Sequence, residues 1–512
     1  MTGAAVTATG TEARTTRLIR RAGAICLAAI GVGLLAQLLF YDNGLGLNLP
    51  LGVAAILVAA WFVPARPTPW PPLRDAWLPA AAIGLAAYAA IRDDHSLIAL
   101  DVMGSALLTA MALASFGGMA ILLRPISGLA ALAAGGTLFA LSGAGSVLLT
   151  VRETMPWKHR TADLAVPGAV LRGLLLALPL VLLFVALFAA ADAVFSQMIT
   201  ELFDWDLDLG TLPGRLTMAV IVAWVVGGLL VFVSIGREEE RAEAVAGPGR
   251  IALGATEAVT LLVALDLLFA LFVVLQATYL FGGRSTLEAS GLTYAEYARR
   301  GFFELLAVAV VVGALVLGLE ATVRRRSTTY LIALVVLVIL TVVVLASAFL
   351  RLRLYQEAYG WSELRFYVVA AILWLAVGAI GAVACIVTNR AHWLPSGLLC
   401  LAVVFGLAVN LIGPARFVAE QNIARAQAAG PGEIGDHALD VWYLGQLGDD
   451  ALGVIEAAYP WGLPSNARSE ARQILAFRAA EIAADPHADD WQAWNLSRQR
   501  LAAELSEGGP LR

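Results

Sequence analysis

Charge is what this sequence has least of. Only 14% of its residues are Asp, Glu, Lys or Arg, where soluble domains average roughly a quarter. A chain of 512 residues that is 60% hydrophobic cannot hide its apolar surface in a water-soluble fold. Lysine is almost missing: every basic residue except Lys158 is arginine, a bias that with abundant Ala and Gly points to a GC-rich bacterial genome. The net charge of −5 leaves no basic surface on the scale that nucleic-acid binding requires, so nucleic acid is not an expected partner. Cys26, Cys385 and Cys400 lie far apart inside apolar segments, which argues against a disulfide framework and a zinc site. His95, His159, His392, His437 and His487 are equally scattered, with no pair at helical ligand spacing. No metal and no cofactor is expected. A phosphate-binding Gly loop, a nucleophile elbow, a zinc-protease motif and the kinase signatures are missing as well, so no soluble-type catalytic core is encoded.

What the chain does have is long apolar runs. They come in blocks of about 17 to 26 residues, close to the roughly 20 a helix needs to cross hydrocarbon. They are too continuous for the alternation of a membrane barrel. The candidate spans are Ala22 to Phe40, Leu47 to Val63, Ala76 to Ile91, Ser96 to Ser115, Ile126 to Val151, Val170 to Ala191 and Leu216 to Ile235. The second half adds Ala258 to Phe281, Gly301 to Leu319, Tyr330 to Leu350, Phe366 to Val387 and Leu394 to Ile412. The expected class is all-α: a polytopic transmembrane helical bundle of about 11–13 spans, with a small soluble helical domain at the C-terminus.

Arginines set the orientation. Arg14, Arg17, Arg20 and Arg21 precede a first apolar run that lacks a small-residue cleavage site, so it reads as a retained signal anchor with its N-terminus cytoplasmic. The Arg237 to Arg250 loop, Arg324 to Arg326 and Arg390 recur after alternate spans and mark the same side. Residues 1–21 are then a cytoplasmic tail, 22–412 the membrane domain and 413–512 an extracytoplasmic helical tail. Twelve crossings from a cytoplasmic start would leave that tail inside, so the true number is expected to be 11 or 13. The suspects are the short Ala76 to Ile91 segment and the Gly-rich stretch from Phe116 to Val151.

Intramembrane polar residues are the candidate site. Asp266 lies near the midpoint of its span with Gln276 toward the outer end, and Asp101 lies near the start of its own. A carboxyl at the centre of a span costs roughly 2.5 to 3.5 kcal/mol on insertion scales, so it is expected to face the bundle interior with a partner. Such a group either relays ions or protons or serves as a structural, hydrogen-bonded carboxyl, and the structural role has the greater weight. Outside the spans, Thr293-Tyr294-Ala295-Glu296 has the form of a capping box. Glu296, Arg299, Arg300 and Glu304 then form a charged strip, in which an ion-pair role outweighs anion binding. Asp42 follows the first span, where some membrane glycosyltransferases keep a catalytic acid, although Asp42-Asn43-Gly44 is also an ordinary turn. In the tail, Leu439, Trp442, Tyr443 and Leu447 recur at helical spacing, and Gly413-Pro414 and Gly430-Pro431 punctuate it.

The run from Leu265 through Gln276 to Gly283, and the run Gly291-Leu292-Thr293-Tyr294-Ala295-Glu296-Tyr297-Ala298-Arg299-Arg300-Gly301-Phe302-Phe303-Glu304-Leu305, carry a long resemblance. With Ala191 to Phe195, Asn422 to Ala426, Asp440, Tyr443-Leu444 and Asp449-Asp450-Ala451, they resemble a family of bacterial multi-pass membrane proteins, domain of unknown function 4173, related to 4153. The likeness covers most of the chain beyond about residue 165 and singles out Asn422, Arg425, Asp440 and Tyr443 as a tail motif. Gly448 stands where a small hydroxyl residue is common in that family, and Gly453 where a proline is common. The resemblance implies the architecture and no activity. The expected role is therefore a cell-envelope scaffold, sensor or accessory protein in the inner (plasma) membrane. Its partners would be the lipid bilayer and an envelope protein met through the tail. A secondary transporter using Asp266, Asp101, Gln276 and Asn410 is the second reading, and a membrane-embedded transferase using Asp42 the third.

Overall fold

The computed structural model describes residues 23–62, 75–119, 121, 135–138, 140–141, 212–246, 255–281, 302–323, 327–429, 439–459, 462–486 and 490–506. Among them every extended element is a helix. The membrane part holds α1 (Gly23–Phe40), α2 (Asn48–Phe62), α3 (Trp77–Tyr88), α4 (His95–Phe116), α5 (Leu212–Ala246) and α6 (Ala255–Phe281). It continues with α7 (Phe302–Thr322), α8 (Thr328–Tyr359), α9 (Glu363–Val387) and α10 (Leu394–Ile412). Seven of the described helices are long and apolar enough to cross a bilayer. Leu267, Ile380 and Leu411, exposed at 68%, 62% and 72%, give these helices an apolar outer surface that water would penalise and lipid would not. The protein is a multi-pass membrane protein.

Two packed groups make up the bundle. Helices α1 to α5 enclose one core around Leu78, Leu85, Leu108, Met111, Leu230 and Phe232. A second forms where α6 to α9 meet around Leu262, Leu319, Tyr330, Leu334 and Ile386, and α10 joins the two, since Leu394 belongs to the second while Leu399, Val403 and Leu407 pack on the first. Helix α3 has 12 residues, about 18 Å of helix, yet it runs antiparallel to α4 along that helix's length. Its flanking turns supply the rest, for Ser115 Oγ donates to Asp75 Oδ2 (2.9 Å) at one end, and Asp94 caps α4 at the other. Phe116 and Gly214 lie at opposite faces of the bundle, because Ser115 joins Asp75 while Gly214 and Arg215 meet Tyr41 at the end of α1. That is the parity an odd number of crossings requires; most of the residues between, 142–211 among them, lie outside those described.

The tail follows α10 after Gly413, whose φ of +71° ends the helix. It contains α11 (Pro414–Ala429), α12 (Val441–Gly445), α13 (Asp449–Ala458), α14 (Ser465–Ala484) and α15 (Leu496–Ser506). Val418, Ile423, Leu444, Leu452, Ile455, Leu475 and Leu501 form its core. The expected helical array is present, with two differences. Phe366 of α9 is part of that core, so the tail is built onto the bundle rather than beside it. Of the residues that recur at helical spacing, Leu439 and Leu447 are buried but Trp442 is 53% exposed, because α12 is barely one turn long and Val441 and Leu444 take its inward positions.

Candidate functional site

The turn between α3 and α4, Arg92-Asp93-Asp94, is where the tail meets the bundle. Asp94 takes the N-cap of α4, a position that favours a short acceptor side chain, and its Oδ1 accepts from Leu97 N (3.0 Å). Its other oxygen accepts from Ala415 N (3.2 Å) in the first turn of α11. One carboxyl therefore caps a membrane helix and a tail helix together. Burial pushes Asp94 up to about 7, against the two amide bonds, and the nearby Glu363 carboxyl adds to the rise. Arg92 serves the opposite helix end: Nε and Nη2 donate to the carbonyls of Asn410 and Leu411 (3.1 Å each), where a cation complements the terminal partial charge of α10. The same guanidinium stands 3.9 Å from Asp450 of α13. Asn495, 1% exposed, closes the turn from the tail, donating to the carbonyls of Ala89 (2.9 Å) and Arg92 (2.7 Å).

The tail motif fastens a second turn. Asn422 Oδ1 accepts from Trp361 N (2.9 Å) and its Nδ2 donates to Trp361 O (2.8 Å), a two-bond clamp on the chain between α8 and α9. A Cβ at Gly360 (φ +74°) would meet Asn422 and Arg425 at 2.6 Å, so glycine is needed for that approach. Asp440 caps α12 by accepting from Tyr443 N (2.9 Å). The Tyr443 hydroxyl in turn accepts from Glu363 N (2.9 Å), at the first turn of α9. Gly448 has φ +103°, and a Cβ there would fall on the Asp93 carbonyl. Glycine is therefore required at 448, whereas Gly453 lies in open space and nothing in the structure requires glycine there.

Between the Arg92-Asp93-Asp94 turn, the Asp42 loop and the tail lies a cleft of about 1140 Å³. Asp42, Asp93 and His95 line it from the bundle; Asp449, Arg478, Glu481, Asp485, Asp490 and Arg498 line it from the tail, with Phe477 and Trp494 among the apolar members. Arg478 holds Asp449 through two bonds of 2.8 Å, and Arg498 stands 3.5 Å from Asp93. Asp42 sits in a tight turn with φ 60°. Asn48 organises that turn, bonding Leu39 O, Gly44 O and Gly46 N. Leu47 N donates to Trp494 O (3.1 Å), which brings the first-loop acid to the tail.

Below the cleft, inside the bundle, Asn410 Nδ2 donates to Asp101 Oδ1 (2.7 Å), joining α10 to α4. Tyr367 of α9 is close enough to interact electrostatically with Asp94, Asp101 and Glu363. Farther into the membrane an apolar cavity of about 550 Å³ lies between Leu107, Met111, Phe232, Trp374 and Leu398.

The structure therefore gathers Asp101, Asn422, Arg425, Asp440 and Tyr443 around one joint and leaves Asp266 away from it. Asp266 is half-buried on α6 beside exposed Leu267 and Leu268. The partner expected for it is not found among the described residues, where its Oδ1 has none. Gln276 is on the same helix. Glu304 lies in the first turn of α7, while Glu296, Arg299 and Arg300, with the Thr293 cap, lie outside the described residues. Sequence reasoning missed Arg92, Asp94, Glu363 and Asn495. Asp94 before a polar-to-apolar switch, and Ser362-Glu363 before another, are readable as helix starts; their contacts with the tail have no local signal. No three metal-ligating side chains converge among the described residues.

Residues 80–458 match the family model of DUF4153, a domain of unknown function. The match begins well before residue 165 and falls on 4153 rather than 4173. No curated protein and no solved structure matches the chain.

Proposed function

This chain belongs to the DUF4153 family, and we propose that it is a non-enzymatic sensor or accessory protein of the bacterial inner (plasma) membrane. Its N-terminus is cytoplasmic and its tail extracytoplasmic, a reading supported by the arginine loops at alternate spans. The tail is a fixed receptor cap. The observation that carries this reading is the shared construction of the cleft: Asp42, Asp93 and His95 come from bundle turns, and Asp449, Arg478 and Arg498 from the tail. A solute held there touches both parts and changes how they sit together. Six carboxylates and two arginines line the cleft, so its field favours a small cationic solute. Exposed Phe477, Trp442 and Trp491 on the tail (73%, 53% and 51%) support an envelope protein as a further partner.

The test is thermal unfolding of the full chain in nanodiscs against polyamines, basic amino acids and divalent cations. A saturable rise in unfolding temperature for organic cations, reduced by Asp42→Asn, is the expected result. If no solute shifts unfolding while proteoliposomes accumulate one, the protein is a transporter. That second reading draws on the buried Asp101–Asn410 pair. Turnover of a lipid-linked donor, lost in Asp42→Asn, would favour the transferase reading. Orientation is tested by Ser465→Cys at the exposed start of α14. Labelling by an impermeant reagent in intact cells is expected, and labelling only after lysis overturns the topology.

A further inference from the structure

Asp101 and Asn410 are 3% and 0% exposed. The Asn410 amide donates to Asp101 Oδ1 (2.7 Å) and to Gly406 O (3.0 Å), so both its hydrogens are placed on acceptors and its orientation is set. The second oxygen of each side chain, Asp101 Oδ2 and Asn410 Oδ1, is buried with no hydrogen-bond partner among the described residues. An ionised Asp101 leaves both of these acceptors empty, a condition that buried polar groups rarely tolerate. The surroundings do not favour the anion either. Asp94, the N-cap of its own helix, and Tyr367 of α9 act on it directly, and behind them Glu363 and Asp450 stand against Asp94 while Tyr443 meets Glu363. The nearby cation, Arg92, is engaged with the carbonyls ending α10 and with Asp450. The Tyr367 hydroxyl, which also interacts with Glu363, has one hydrogen and can fill at most one of the two gaps.

We propose that the Asp101–Asn410 pair is a proton-binding site, in which one proton on Asp101 Oδ2 donates to Asn410 Oδ1 and completes a reciprocal acid–amide pair between α4 and α10. The proton comes from water at the tail face and returns to it, leaving the carboxylate behind. Asp94 at the start of α4, Glu363 in the first turn of α9 and Tyr367, which interacts with Asp94, Glu363 and Asp101 alike, offer the relay. Since α10 runs straight into the tail at Gly413, loss of the proton weakens the bundle contact next to the joint. The site thus reports pH, independently of any solute in the cleft.

Infrared difference spectroscopy of the full chain in nanodiscs, titrated from acid to alkaline pH, reads the site directly. The Asp94 carboxyl, also raised to about 7, contributes a carbonyl band of its own, so the band expected from this site is the one that shifts in heavy water, persists to neutral pH, survives in Asp94→Asn and vanishes in Asp101→Asn. Asp101→Asn should also reduce whatever pH dependence of unfolding remains in Asp94→Asn. The absence of such a band in the wild type, or its survival in Asp101→Asn, overturns the proposal. Should Asp101→Asn not fold, Asn410→Ser decides. It must move the band in frequency, and an unmoved band overturns the pairing.

Discussion

Asp101 and Asp266 look alike in the sequence, each a single carboxyl inside a long apolar helix, yet the structure treats them in opposite ways. Asp101 is 3% exposed, bonded to Asn410 and set under the joint between bundle and tail. Asp266 is half-buried among exposed leucines, with its Oδ1 unpartnered among the described residues. Depth in the apolar run made Asp266 the stronger candidate, because insertion cost is highest at the centre. What separates the two is the neighbouring helix, since α10 presents Asn410 to α4. An acid's position along its own span says what it costs, and only packing says whether that cost is met.

The widest contrast is expected at the joint. Asp94→Ala removes acceptors from Leu97 N and Ala415 N at once, and with each cap worth about 1 kcal/mol the loss is about 2 kcal/mol. Asp94→Asn keeps one oxygen and should lose about half of that, so thermal unfolding of the three proteins should fall in steps. Because the Asp94 carboxyl is raised from 3.8 to about 7 in the folded chain, its contribution is fully present at pH below about 4. It is lost as pH rises through about 7. Unfolding temperature should therefore drop across that window and flatten in Asp94→Asn. Asn410→Leu comes next, leaving the buried Asp101 carboxyl without its donor for about 1 to 3 kcal/mol. A smaller cost would mean that Asp101 finds another partner.

Tyr443→Phe removes the acceptor for Glu363 N while keeping the ring, at a cost of about 1 kcal/mol. Protease sensitivity of the tail should rise with it. If unfolding moved by as much as in Asp94→Ala, the Tyr443 contact would be a principal fastening of the tail rather than one among several.

Much of the bundle was legible because hydropathy responds to lipid. Leu394 to Ile412 is α10 to the residue, and most other described spans differ by a few residues at each end. The larger misses are instructive: α5 continues past Ile235 to Ala246, and α8 past Leu350 through Arg351, Arg353 and Glu357 to Tyr359. Helical hydrogen bonds continue where the apolar run stops, so hydropathy marks the membrane and not the helix. In the site, Asn422, Arg425, Asp440 and Tyr443 were legible as a pattern, but their meaning was not. Each acts on a turn at least 60 residues away or builds the helix that does. Arg92 and Asp94 reach more than 300 residues along the chain. A window of sequence contains no trace of such pairing, and a lone polar residue beside an apolar run reads the same with or without it.

Asp266→Leu should have the smallest effect. Reasoning from the sequence assigns Asp266 a bonded partner on a neighbouring helix, whose loss would cost about 1 to 3 kcal/mol. The structure places the side chain where no described residue bonds its Oδ1, beside Leu267 and Leu268 at 68% and 59% exposure. Leucine there removes a carboxyl that opposes insertion and orphans nothing among the described residues. Stability in detergent is expected within about 0.5 kcal/mol of wild type, with expression equal or higher. Asp266→Asn should behave alike. A loss of about 2 kcal/mol or more in Asp266→Leu with Asn tolerated, as unpaired buried partners produce, would locate a partner among the residues outside those described. The two intramembrane acids would then be equivalent after all.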